Sequence, residues 1–454
     1  MTTSSPFHGH GGGFRGRAAA ALPGRRAVIS ASAAVAGTAL LTGGAVPRAK
    51  ALPPDRPAPP STPSVVPTLP RPLGPHTVGV VDLHLVDRSR RDPLRFAVPE
   101  RELMVSVHYP ACRVPADRAA APQMTPAAAR SFVELAPVVH PELPGAGVDW
   151  AAVTTHAYAG AEPWGRWRPV LLYSPGVREP RTLGTHLAQD LASKGWVVVS
   201  IDHPGDASEV DFPGATQHRH TTLVTTELRG DPRQDPDLYR VLLSARVADV
   251  RFVLDCLQRL TAGRNVEGVG PPLPKGFHTI FDLGRVAAYG HCAGGTAVSQ
   301  ALYEDSRIRA AVNMEGHLDI PTVPAVPGRS GRPGKPLPVA RHGTDRPLDL
   351  LATDGYVRRT ELERSWAPLL ARSGERVRRM RIAGSNHLVF SDYITVAPQL
   401  VRAGLMTKGG RDSMVGSVAV DVALPLLKSR LTSFFAEHAP VATQEYRAAP
   451  EVAS

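Results

Sequence analysis

A chain of 454 residues with 43% hydrophobic and 20% charged residues is long enough for one large α/β domain with appendages, and too long for a peptide toxin or a lone binding motif. The formal charge is +11, but residues 1–51 hold six basic residues and no acidic one, and without them the rest of the chain carries +5. No basic patch on a periodic element remains to suggest a nucleic-acid partner, and three cysteines are too few for a disulfide scaffold.

The N-terminus reads as an address. Arg25 and Arg26 precede an Ala/Val/Leu-rich run that lasts to about Val46, and Ala49-Lys50-Ala51 supplies small residues two apart, as a signal peptidase requires. Residues 1–51 therefore resemble a twin-arginine export signal, which implies a secreted or extracytoplasmic protein. An uncleaved N-terminal membrane anchor is the alternative. From Leu52 to Pro75 there are ten prolines in 24 residues, a composition of extended segments that reads as a linker over residues 52–76.

Past the linker, short β-rich runs alternate with helical ones, the pattern of a mostly parallel sheet covered by helices on both faces. Val78–Val86 and Glu102–Tyr109 predict an opening antiparallel pair. Pro169–Tyr173, Trp196–Asp202, Arg285–Tyr289, Arg309–Asn313, Leu337–Ala340 and Val377–Ile382 follow as strands, several of them nearly continuous apolar runs, as strands buried on both faces must be. Thr182–Lys194 and Leu238–Leu260 repeat apolar residues at helical spacing. The domain spans residues 77–440, and 441–454 read as a flexible tail. The Pro-rich stretch Pro321–Pro338 reads as a loop.

The strongest chemical signal is Tyr289-Gly290-His291-Cys292-Ala293-Gly294-Gly295, between a predicted strand and a predicted helix. A nucleophile elbow needs glycines two residues either side of its central residue, because the turn is too tight for side chains there. Gly290 and Gly294 occupy those places, and Cys292 is central. Downstream, Gly384-Ser385-Asn386-His387 follows a predicted strand and sets His387 in a loop, in the chain order nucleophile, acid, histidine of the α/β-hydrolase fold.

With Val78-Gly79-Val80-Val81-Asp82, Arg101-Glu102-Leu103-Met104-Val105 and the Phe390-Ser391-Asp392 that follows His387, the chain resembles the plasma-type platelet-activating factor acetylhydrolases and their bacterial relatives over most of residues 77–395. The resemblance implies hydrolysis of carboxylic esters with short or oxidised acyl groups by a Ser-His-Asp triad, without metal or cofactor. Carried over by position, the nucleophile is Cys292 in place of serine, the base His387, and the acid Glu315 of Asn313-Met314-Glu315-Gly316. Asp345 competes as the acid, since many such folds place it after the following strand, and Asp319 is a weaker competitor. The oxyanion hole falls on the N–H groups of Ala293 and Val177, the latter in Ser174-Pro175-Gly176-Val177.

A thiolate attacks well and also leaves well. The expectation is therefore a Cys-His-acid triad forming a thioester acyl-enzyme and preferring aryl, enol, thio- or lactone esters. The alternative is a catalytically silent hydrolase-fold protein serving as a binding or interaction domain. His203, in Asp202-His203-Pro204-Gly205, reads as a loop-holding residue. His218 and His220 lack companions at ligand spacing, so no metal is expected. The substrate is a small-molecule or lipid ester.

Overall fold

The computed structural model describes residues 64–442 apart from 116, 267, 269 and 323–332. The proposed signal segment, the linker as far as residue 63, most of the Pro-rich loop and the tail from 443 lie outside the described residues. Residues 64–76 lie against the domain: the Val65 N–H donates to Gly147 O at 2.9 Å, and Leu69 is buried.

The strands are β1 (Thr77–Asp87), β2 (Arg101–Ala111), β3 (Ala157–Ala159), β4 (Arg168–Ser174), β5 (Val197–Ile201), β6 (Glu209–Asp211), β7 (Leu223–Thr225), β8 (Phe281–His291), β9 (Ile308–Met314), β10 (Asp319–Ile320), β11 (Lys335–Pro336), β12 (Leu348–Thr353) and β13 (Val377–Ile382). The helices are α1 (Pro126–Val139), α2 (Thr185–Ser193), α3 (Pro236–Thr261), α4 (Ala293–Glu304), α5 (Pro338–His342), α6 (Arg359–Ser373), α7 (Tyr393–Arg402), α8 (Lys408–Val415) and α9 (Val420–His438). Nine strands form one sheet in the order β13-β12-β9-β8-β4-β5-β2-β1-β3. It is parallel from β13 to β5, and β2 runs antiparallel to both β5 and β1.

The alternation of side chains along each strand explains the unbroken apolar runs. Val170 and Leu172 of β4, Val197 and Val199 of β5, and Val286 and Ala288 of β8 feed a cluster capped by α3, α4 and α6. Their neighbours Leu171, Tyr173, Val198, Ala287 and Tyr289 feed a second cluster under α2 and α9. Both faces are thus buried, and the architecture is the α/β-hydrolase fold. Among the described residues no helix is long and apolar enough to cross a membrane.

One expected strand is a helix. Leu337–Ala340 enters α5, where Pro338 occupies the first helical turn, a position that needs no N–H, and Val339 and Ala340 turn into the core. The strand of that region is β12, whose apolar pattern is interrupted by Asp349, a buried carboxylate paired with Arg430 at 2.5 Å. The long helix begins at a proper cap: the Asp235 side chain accepts from the N–H groups of Asp237 and Leu238, and Pro236 opens the helix.

The crossing of β8 into α4 is the tightest junction of the sheet. A Cβ on Gly294 would stand 1.9 Å from Ser174 O, and one on Gly290 2.4 Å from the backbone of Gly294. Gly294→Ala is therefore expected to cost about 3 kcal/mol, the upper end for overpacking, measured by denaturant unfolding; a loss below 1 kcal/mol would mean that the junction is loose.

Candidate active site

The site is assembled at the carboxyl ends of the parallel strands, where ligands bind in open α/β sheets. Cys292 sits between β8 and α4 at φ 53° and ψ −123°, a left-handed conformation costly for a residue with a Cβ. It is held there because its N–H donates to Met314 O at 2.8 Å while its carbonyl accepts from Thr296 N at 3.2 Å. The turn aims Cys292 at the N-terminal end of α4, whose first N–H groups have no acceptor within the helix.

Glu315 follows β9 and is also left-handed, at φ 59°. Its Oε1 accepts from the backbone N–H of Thr353 at 2.5 Å and from Thr353 Oγ1 at 2.6 Å, and its Oε2 lies 2.7 Å from His387 Nδ1. The carboxylate is buried and fixed at both oxygens. Tyr356 stacks on the His387 ring at 4.4 Å and 14°, and the opposite neighbour, His291, lies 4.4 Å from it. His291 in turn bonds His387 O through Nε2 at 3.0 Å and Glu179 through Nδ1 at 2.9 Å, and the same Glu179 oxygen accepts the Gly176 N–H at 2.8 Å.

Burial pushes the Cys292 thiol up, but the charge and hydrogen bond of the His387 imidazole outweigh it and bring it down to about 7. Burial likewise opposes protonation of His387, and the Cys292 sulfur and Glu315 overcome it, raising the imidazole to about 10. Between these values the two groups exist as a thiolate and an imidazolium.

Asp345 takes no part in this cluster. Its side chain is 87% exposed and faces Arg346 at 3.4 Å. Asp319 pairs with Arg233 at 3.1 Å. Ala293 packs in an apolar cluster with Leu228, Tyr239, Leu242 and Ile320, and Val177 rests against that cluster. Cys256 is buried in α3 and Cys112 is half-buried after β2, each with its thiol pushed up by burial.

A second array stands on the neighbouring strand and overturns the expectation that cysteine replaces serine in this chain's relay. At the end of β4, Ser174 Oγ lies 2.8 Å from His203 Nε2, and His203 Nδ1 lies 2.9 Å from Asp249 Oδ2 on α3. This is a complete Ser-His-Asp chain. With it falls the sequence-based expectation of a Cys-His-acid triad that forms a thioester and therefore favours activated esters. The relay runs in the order serine, histidine, acid, and its members come from β4, the loop after β5 and α3, so no short motif contains it. The sequence pattern gives His203 only a loop-holding role and Asp249 none. A signal existed: Asp249 lies between Val247 and Val250, a charge on the buried stripe of an amphipathic helix.

The relay is closed in. Ser174, His203 and Asp249 are all at most 1% exposed. Burial and the nearby Arg246 bring the imidazole of His203 down to about 4 against the pull of Asp249, so it is uncharged at neutral pH. Asp249 is held far below the usual carboxylate range: burial opposes this, and Arg101, bonded to it at 2.8 Å, outweighs burial. Arg246 ties the relay to the adjoining turn, bonding Ser174 Oγ at 3.3 Å, Pro175 O at 2.6 Å and Gly176 O at 2.8 Å.

The fold and these arrays define a hydrolase of the α/β-hydrolase class. Residues 148–326 match the family model for platelet-activating factor acetylhydrolase, isoform II. The chain is 25% identical over 389 residues to a probable 1-alkyl-2-acetylglycerophosphocholine esterase of Arthroderma benhamiae, covering 81% of this chain and 87% of that one. It is 27% identical over 158 residues to the platelet-activating factor acetylhydrolase of Canis lupus familiaris, covering 32% and 34% of the two chains. Among solved structures, the ferulic acid esterase of Streptomyces cinnamoneus superimposes with a TM-score of 0.61 at 27% identity, over 85% of this chain and 97% of that one.

The lowered thiol at the elbow has a measurable consequence. Iodoacetamide should label Cys292 before Cys112 and Cys256, with a rate that rises with pH and reaches half its maximum near pH 7. Peptide mass spectrometry over a pH series reads it; a midpoint near the ordinary thiol value of about 8.5 would contradict the pairing with His387.

Proposed function

We propose that this protein hydrolyses carboxylic esters, simple alkyl esters included, and that the Ser174–His203–Asp249 relay supplies the nucleophile. The observation that carries the reading is a serine hydrogen-bonded to an uncharged histidine whose other nitrogen faces a carboxylate. In that tautomer His203 Nε2 is free to take a proton.

Ser174 Oγ adds to the ester carbonyl while its proton passes to His203 Nε2. Collapse of the tetrahedral intermediate breaks the bond to the alcohol oxygen, which leaves with that proton. Water then repeats the sequence on the acyl-serine, releasing the acid and restoring the hydroxyl. Asp249 faces the imidazolium formed in each half, and Arg246, 3.3 Å from Ser174 Oγ, faces the developing charge. Because serine is a poorer leaving group than a thiolate, the tetrahedral intermediate expels an ordinary alkoxide without prior activation. With the relay closed in, this reading requires the Ser174–Val177 turn to draw aside when the ester binds.

The strained conformation of Cys292 and its pairing with His387 keep the elbow in the proposal. Cys292 and His387, with the N–H groups of Ala293 and Val177, are the groups we assign to contact with the substrate; the buried Glu315 holds the His387 ring through Nδ1, and Asp345, far out in solvent, gains no support in that place. The junction of Gly294 with the carbonyls of Ser174 and Pro175 makes elbow and relay neighbours across one turn. The names of the fungal relative and of the Streptomyces esterase support an ester substrate, lipid or small molecule. The paired arginines and apolar run of residues 25–46 support export by the twin-arginine route.

Three variants separate the roles in an assay with a short-chain alkyl ester and an aryl ester. Ser174→Ala should lower kcat by about 10⁴-fold or more, the scale of removing a triad nucleophile. Cys292→Ala and Cys292→Ser should keep a measurable fraction of it. Loss in the Cys292 variants with Ser174→Ala still active would move the nucleophile to the elbow and overturn the assignment.

A further inference from the structure

The described residues hold a cavity of about 480 Å³ on the far side of β4 and β5 from the elbow, walled by β1, β2, the start of α1 and the segment that leads into α2. Its walls are mixed. Met104 and Phe212 give apolar surface, and Asp82, His108, Arg181 and Glu209 give polar groups. Neither the hydrolytic reading nor the elbow uses any of them.

Glu209, at the start of β6, is the unusual member. It is 2% exposed, yet neither carboxylate oxygen meets a hydrogen-bond partner of good geometry among the described residues, the adjoining Ser208 hydroxyl acting on it only weakly, and His108 Nδ1 is equally unmatched. A buried carboxyl without partners costs several kcal/mol if ionised, so the group holds its proton. Burial pushes it up to about 8, and Asp202 adds to this against Ser208 and Arg181. The other charges facing the cavity are already committed. Arg181 of the segment before α2 is ion-paired with Asp202 after β5 and bonds Ser106 Oγ at 2.7 Å. Asp82 of β1 accepts from Ser106 Oγ at 2.5 Å, and Asp211 of β6 accepts from Thr125 Oγ1 at 2.5 Å. His108 of β2 is kept uncharged, with burial and Arg181 bringing it down to about 4 against Asp82. The lining thus offers three carboxyl groups and one guanidinium that is already neutralised.

We propose that this cavity is a binding site for a primary ammonium ion carrying a compact apolar body, with Glu209 as the group that receives the ammonium. The apolar body lies against Met104 and Phe212, and the ammonium donates to the carboxylate of Glu209, whose oxygens are covered in the free protein and are presented when the side chain turns toward the cavity it lines. Binding ionises the carboxyl: the proton on Glu209 leaves to solvent, the ammonium keeps its own three, and a buried ion pair replaces a neutral acid. One proton is released for each amine bound wherever free Glu209 is protonated.

Titration calorimetry on the full chain with benzylamine and benzyl alcohol, in buffers of different ionisation enthalpy, tests this directly. At about pH 6.5 benzylamine should bind with close to one proton released, and at least tenfold more tightly than the alcohol. The release should fade above about pH 9, where free Glu209 is already ionised. Glu209→Gln should weaken the amine by tenfold or more and abolish proton release, while ester hydrolysis stays within twofold of the parent. Equal affinity for amine and alcohol, no proton release in the parent protein, or unchanged amine binding by Glu209→Gln would each overturn the assignment. The parent-protein measurements stand without the variant.

Discussion

Everything in the site depends on how closely α4 approaches the end of β4. With no side chain at Gly294, the first turn of the helix rests on the carbonyls of Ser174 and Pro175. That contact brings the elbow of β8 and the Ser174–Val177 turn to one place. It also leaves Cys292 in a left-handed conformation that its neighbours must enforce, through the bond from its N–H to Met314 O and the fixed start of α4. A methyl group at this junction would separate two arrays that now share a turn.

The Ser174–His203–Asp249 relay and the cysteine, histidine and glutamate at the elbow differ sharply in electrostatics. In the elbow the imidazole lies among anions, Glu315 and the sulfur, and is raised, while the sulfur is lowered. In the relay burial and then Arg246 lower the imidazole, against the pull of a carboxylate already bound to Arg101. One histidine therefore stands charged and the other uncharged at neutral pH. A base must be uncharged to accept a proton, and this distinguishes His203. Arg246 links the relay to the turn by bonding two successive carbonyls and the serine oxygen.

Buried charge elsewhere follows the same rule of pairing. Arg101, Arg246 and Arg181 are almost wholly buried, and each meets a carboxylate: Asp249, Asp206 and Asp202. Loss of either partner would leave an uncompensated charge in the core. Against that background, Glu209 stands out because its carboxyl has no such partner.

The strands of the parallel core were legible as apolar runs, because burial on both faces removes polar residues from a strand altogether. The elbow was legible as well, since its glycines are demanded by local sterics and sit at fixed spacing around Cys292. His387 could be named because it lies in a loop straight after a strand. β12 was not legible, because Asp349 breaks its pattern and its ion pair with Arg430 is formed by a helix far along the chain. The Ser174–His203–Asp249 relay was hidden for a related reason. Its three members belong to different elements and follow no spacing rule, and only the packing of α3 against β4 and β5 closes the hydrogen bonds. Short-range sterics leave marks at fixed intervals in a chain. Contacts between distant elements leave none, and they decided which serine, histidine and aspartate came together.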